Sequence, residues 1–318
     1  MPTATSTPDA EPQLTAPVIA FGGDCGVMMT TGQWDDVLGQ GSRTVEDMYV
    51  EWGFGPSPAL DFSPVSTLGG LTCHRFAPPG GVPSAAGVEQ LEISVIPLSA
   101  LPPELAASYD DMTCEGGSDG RICRKSASNG EWWIMAQSAG IPDAVPEELL
   151  DTALRAVEQN LVRSASAHAA VRRETWWRLD SCEGLMREIS LEELVGDYVV
   201  GYWEGEESDE TRFFASAGVE RHCPIVAENG ESFIGGITLF PGAGWAWEAR
   251  TRGAEILEAG DGIEAVIVRA PEIPQTWVYA TDGTNVVQIS GGPVELQGEM
   301  LLRLMPALED LASSADGE

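Results

Sequence analysis

The chain has almost no lysine. Of its 17 basic residues only Lys125 is a lysine; the rest are arginines, set against 50 acidic residues for a formal net charge of −33. A field of that sign repels DNA, RNA and anionic lipid, and no basic stripe offsets it, so nucleic acid is excluded as a partner. Histidine is nearly as scarce, with His74, His168 and His222 alone, and no Cys-x-x-Cys occurs. A zinc framework is therefore unsupported, and we assign no metal and no cofactor. No run approaches the ~20 apolar residues of a membrane span, so no transmembrane segment is expected. The opening "MPTATSTPDAEPQ" lacks the basic start and apolar stretch of a signal peptide. It reads as a flexible leader, residues 1–19, of the kind that follows a removed signal or a lipid-anchored Cys upstream.

What is present is enough hydrophobic material, 43% of 318 residues, for two ordinary domains. There are six cysteines: Cys25, Cys73, Cys114, Cys123, Cys182 and Cys223. An even count without metal spacing fits three disulfides formed in an oxidising compartment. Fifteen connectivities are open to six cysteines.

An internal repeat narrows them. "FGGDCGVMMTTGQWDDVLG" (21–39) is matched by "RLDSCEGLMREISLEELVG" (178–196), with a Gly fourteen residues after each Cys. Cys73 then lies 48 residues after Cys25, and Cys223 lies 41 after Cys182. Alternating apolar segments ending in Pro follow, "LEISVIP" (91–97) and "GGITLFP" (235–241), and read as strands with one buried face. "SDGRICR" (118–124) matches "GDGIEAVIVR" (260–269), and "SNGEWWIMAQSAG" matches "TDGTNVVQISGG", each a turn leading into a strand. Each half closes on a helical stripe: Leu150, Ala153, Leu154 and Val157, then Leu301, Leu304, Met305 and Leu308.

The reading is a tandem α+β repeat, each unit an antiparallel sheet with helices packed on one face and a disulfide staple. The units span 20–163 and 176–312, with a connector at 164–175 and a flexible tail at 313–318. The Ala-rich connector is expected to prolong the helix before it. Parity then pairs Cys25 with Cys73 and Cys182 with Cys223. Cys114 and Cys123 are left to clip the Gly-rich loop "CEGGSDGRIC".

Chemistry is harder to find. Gly116 to Gly120 satisfies G-x-S-x-G, but the elbow around a nucleophile needs a buried strand before the Ser and a helix after it. Ser118 lies instead between two cysteines in a polar turn, so no catalytic residue is assigned. His74 and His222 each border a repeat cysteine and should face away from it. Asp110, Asp111 and Asp119, and the stretch "EGEESDE" (204–210), lack calcium-loop spacing and read as solvated loops. Tryptophan is in excess, with ten residues. One member of Trp132-Trp133 should face out of its strand, and with Trp245 and Trp247 these are the candidate ligand-binding residues; core packing is the plainer account.

The Cys-helix-Gly opening, the second strand Cys, the alternating strand and the closing amphipathic helix resemble actinobacterial secreted proteins and lipoproteins, including extracytoplasmic sensor-type domains, here in tandem duplication. That resemblance implies an exported, extracellular or surface-anchored binding or sensing module, with a ligand cleft at or between the halves. Its partner would be a small molecule, a glycan or an envelope protein. Two alternatives stay open: a secreted carboxylate-dependent hydrolase acting on glycans, and a structural or interaction protein presenting an acidic face.

Overall fold

The computed structural model describes residues 16–51, 62–78, 87–102, 105, 107, 109–117, 120–162, 164, 166–201, 209–229, 232–260, 263–269 and 275–313. In the first half, α1 (Cys25–Met28) and α2 (Thr31–Leu38) are followed by α3 (Val45–Glu51) and α4 (Pro64–Thr67). One antiparallel sheet then holds β1 (Leu71–Phe76), β2 (Val88–Pro97), β3 (Thr113–Gly117), β4 (Gly120–Ser128) and β5 (Trp132–Gly140). The half closes with α5 (Glu147–Leu161).

The second half opens with α6 (Cys182–Glu188), α7 (Glu192–Val195), β6 (Tyr198–Val200) and α8 (Asp209–Ala217). Next come β7 (Arg221–Ala227), β8 (Phe233–Phe240), α9 (Trp247–Arg250) and β9 (Glu255–Glu258). Finally β10 (Glu264–Arg269), β11 (Thr276–Thr281), β12 (Val286–Ser290) and α10 (Val294–Ser313) complete the chain.

The strand orders are β1-β2-β5-β4-β3 and β6-β7-β8-β12-β11-β10-β9. Without its outer strands β6 and β9, the second sheet repeats the order of the first. The repeat's opening Gly also has a physical basis. Gly39 (φ 101°) ends α2 and Gly196 (φ 76°) ends α7, and a residue with a Cβ is strained at such angles.

Strand order corrects one alignment. The turn at 118–124 enters β4, which stands with β11, whereas the turn at 260–269 enters β10, which stands with β3. Matching these two segments therefore slips the register by one strand. Asp-Gly turns suit any hairpin, so they mark that a hairpin exists but not which one. The Cys114–Cys123 bond closes this segment as expected, and it does so within a hairpin: the two residues are direct register partners on β3 and β4, with Cα atoms 4.1 Å apart.

The connector is a second correction. The helix stops at Leu161, and the chain beyond it is laid across the first half. Val18 and His168 exchange both backbone hydrogen bonds at 3.0 Å, so the last residues of the expected leader are held in place. Ala170 N donates to Thr67 O, and Phe21 N donates to the Ser164 hydroxyl. These bonds to distant backbone outweigh the helical preference of Ala, which amounts to only tenths of a kcal/mol per residue. Further on, fully buried Asn285 donates to Thr175 O and Asp282 and accepts from Trp177 N and Gly242 N, which fixes the entry to the second half.

Each sheet buries both faces. On the helix side, Leu150, Ala153, Leu154 and Val157 of α5 pack on Leu91, Ile93, Ile134 and Trp132. Leu301, Leu304, Met305 and Leu308 of α10 pack on Ile237, Ile289 and Val278. The opposite faces meet elements of the other half. Phe213 and Phe214 of α8 join Ile96, Trp133 and Met135 of the first sheet. Phe62, just before α4, packs against the rings of Phe240 (centroids 6.1 Å), Trp247 (5.9 Å) and Tyr279 (5.7 Å) in the second half.

The three disulfides pair as expected: Cys25–Cys73, Cys114–Cys123 and Cys182–Cys223. The first and third tie the start of a helix to β1 and β7. Loop-closure entropy gives about 4 kcal/mol for each of these long loops and about 2.5 kcal/mol for the short Cys114–Cys123 loop. We predict that the double Ser variant of Cys182 and Cys223 melts well below that of Cys114 and Cys123. Equal Tm losses in differential scanning calorimetry would contradict this ranking.

Candidate ligand-binding site

The face of the first sheet that meets the second half is built in rows, because residues opposite one another on neighbouring strands share a face. Ile96 faces Trp133 on the first row. Thr72, Ser94, Met135 and Ser126 form the next. His74, Glu92, Gln137 and Arg124 form the third, crossing four strands. The face thus grades from apolar to polar within two rungs.

The polar row is joined by side-chain contacts. His74 Nε2 lies 3.2 Å from Glu92 Oε2. Arg124 donates from Nε to Gln137 Oε1 at 2.6 Å and from Nη1 to Glu115 Oε1 at 3.1 Å. Burial pushes the Glu92 carboxyl above its ordinary range, and the positive charge of Arg124 opposes that shift without cancelling it. On the middle row the Thr72 and Ser94 hydroxyls share a hydrogen bond of 2.8 Å.

Between this face and α8 lies a pocket with ≈ 70 Å³ open to the centre of a water molecule. Its floor is Ser94, Ile96, Trp133, Met135 and Arg124, its sides include Tyr109, Leu105 and Glu115, and its roof is Phe213 and Phe214. The two roof rings have centroids 5.0 Å apart. Trp133 is 3% exposed, yet its Nε1 has no hydrogen-bond partner among the described residues, and neither does the buried Ser126 hydroxyl on the next row. A buried donor without an acceptor costs about 1–3 kcal/mol, which singles out Trp133 on the wall of the cavity.

Of the four candidate tryptophans, the structure brings one to this pocket. Trp132 and Trp133 do alternate as expected: Trp132 enters the first core, and Trp133 faces the junction. The face that Trp133 reaches is roofed by the other half rather than open to solvent. Trp247 is buried, stacked on Phe62, with its Nε1 donating to Glu264 at 2.9 Å. Trp245 is half-buried at the edge of the same cluster. Ser118 and Asp119, and most of the acidic stretch 204–210, lie outside the described residues. His222, on the opposite sheet, contacts Thr238 Oγ1 through Nδ1 at 2.8 Å. Among the described residues no cluster of three or more His, Cys, Asp or Glu could hold a metal.

Sequence reasoning missed the Glu92–Gln137–Arg124 row and the Phe213-Phe214 roof. The alternation of Glu92 and Ser94 within "LEISVIP" was visible, but it looks the same on any solvated sheet face.

No family model matches the chain, and no curated protein matches it. A crystal structure of DynU16, a protein of the dynemicin biosynthetic locus, aligns over 90% of this chain and 92% of that one. At 10% identity and a TM-score of 0.11, that likeness carries no argument about fold or function.

The Glu92 environment predicts a pH signature. A carboxyl whose folded pKa is raised favours the folded state while protonated, and that contribution is lost as pH rises from the ordinary Glu range through the raised value. Glu92→Gln removes the penalty. Its Tm advantage over the native protein should therefore be larger near pH 7 than at about pH 4.5, the ordinary Glu range. A difference independent of pH, or one that shrinks as pH rises, would show that burial does not govern Glu92.

Proposed function

We propose that this chain is an exported cell-envelope binding or sensing protein that holds a small ligand between its two halves. The observation that carries the reading is Trp133: a nearly buried indole, with its N–H unpaired, walling a pocket that the opposite half roofs with Phe213 and Phe214. Apolar walls with a few fixed polar groups are the usual make-up of a small-molecule site at a domain junction. The pocket is small, which favours a compact molecule, or one end of a glycan or peptide, over a broad protein interface.

Compartment is supported separately. All six cysteines are in disulfides, and such bonds persist in oxidising surroundings. Among the described residues no helix is long and apolar enough to cross a membrane. A hydrolase relying on two carboxylates has less support at this site, because among the described residues Glu115 alone brings a carboxylate to the pocket's lining.

A thermal-shift screen of the native protein against small molecules, envelope glycan fragments and peptides should yield a stabilising ligand. Trp133→Phe keeps most of the ring and removes the N–H, and should weaken that ligand by about tenfold, the equivalent of one hydrogen bond worth about 1.4 kcal/mol. Trp247→Phe, away from the pocket, should leave affinity unchanged. Undiminished affinity in Trp133→Phe, measured by calorimetric titration, would place the ligand elsewhere.

A further inference from the structure

Three polar groups of the pocket wall bear on what it could hold: the Trp133 indole and the Arg124 guanidinium, which are donors, and Glu115, an acceptor paired with Arg124. Indole Nε1 and guanidinium can donate hydrogen bonds and cannot accept them. The Ser94 hydroxyl is committed to Thr72 at 2.8 Å. Arg124 is oriented by Gln137 from below, while its Nη2 makes no hydrogen bond among the described residues. The carboxylate hydrogen-bonded to Arg124 among the described residues, Glu115, has a side chain 74% exposed, and exposed pairs of this kind contribute little. The neighbouring carboxyl on the row, Glu92, makes no hydrogen bond to Arg124 among the described residues, and desolvation raises its pKa against the pull of the guanidinium.

The repeat supplies an independent comparison. Aligning the sheets on the rung where Cys73 faces Ile93 and Cys223 faces Ile237, the positions of Glu92, Gln137, Arg124 and Ser126 are taken by Gly236, Ser290, Trp277 and Tyr279. The same strand order is therefore built without the polar row. Arg124 and its supports are a property of one half, not a requirement of the fold.

Resting on the binding site proposed above, we infer that the pocket takes a compact aromatic carboxylate. Its ring would lie among Trp133, Met135, Phe213 and Phe214, and its carboxylate would accept from Arg124 and from Trp133 Nε1. Arg is well matched to such a group because its planar N–H fork meets both oxygens. The overall negative charge opposes an anion at long range, but at physiological salt that field is screened within about 8 Å.

The test uses intact protein labelled with ¹⁵N at tryptophan. The Trp133 indole resonance is identified by its loss in Trp133→Phe, and phenylacetate, phenylacetamide and phenethylamine are titrated in turn. Phenylacetate should shift the Trp133 signal saturably, with phenylacetamide at least about tenfold weaker and phenethylamine weaker still. Arg124→Met, or Arg124→Gln should the first variant not fold, should reduce phenylacetate to the affinity of the amide and leave the amide unchanged. If the amide or amine shifts Trp133 as strongly as phenylacetate, the carboxylate inference is overturned while the site stands. If none of the three moves the Trp133 resonance, the site itself is refuted.

Discussion

A sheet has two faces, and the long closing helices α5 and α10 cover only one face of each sheet here. The other face of each is apolar and is covered only in part by its own half, by Val65, Leu68 and Tyr109 on the first sheet and by Ala243, Ala246 and Trp247 on the second. The chain meets this constraint by crossing over: Phe213 and Phe214 of the second half close on the first sheet, and Phe62 of the first half closes on the second. Even the adjacent tryptophans follow the division. Trp132 and Trp177 enter the cores of their own halves, while Trp133 and Trp176 enter the junction. Each half thus completes the cover of the other's sheet.

Within that shared arrangement the halves have diverged. Both keep a polar contact next to the disulfide rung, Thr72 with Ser94 in one and His222 with Thr238 in the other. One rung further, the second half has Gly236, and a Cβ there would meet the His222 ring at 3.2 Å, so the space is filled. The first half instead has the row of Glu92, Gln137 and Arg124, and Arg124 lines a cavity. Where packing is complete the face serves cohesion. Where it is incomplete and lined by polar groups among apolar ones, it has the character of a site.

Much of the fold could be read from the sequence, because the relevant signals are local. Cys spacing, the Gly fourteen residues on, the helical stripes from Leu150 and Leu301 and the period-two segments each reflect a geometry fixed by near neighbours. The failures share a cause as well. The connector at 164–175 is decided by hydrogen bonds to Val18 and Thr67, far away in sequence, and the hairpin alignment by strand order. The candidate site was the least legible part. Trp133 could be singled out, since a strand must turn one of two adjacent residues outward. Its partnership with Arg124 and Phe213 depends on cross-strand register and on which half covers which face, and no single segment encodes either.

The most direct test of this account is a double-mutant cycle across the junction, with Phe62→Leu and Trp247→Leu made singly and together and unfolding free energies compared. Stacked rings at 5.9 Å should couple by about 0.5–1.5 kcal/mol. Energies that add to within about 0.3 kcal/mol would mean that the halves do not bury each other's sheets, and the pocket between them would lose its basis.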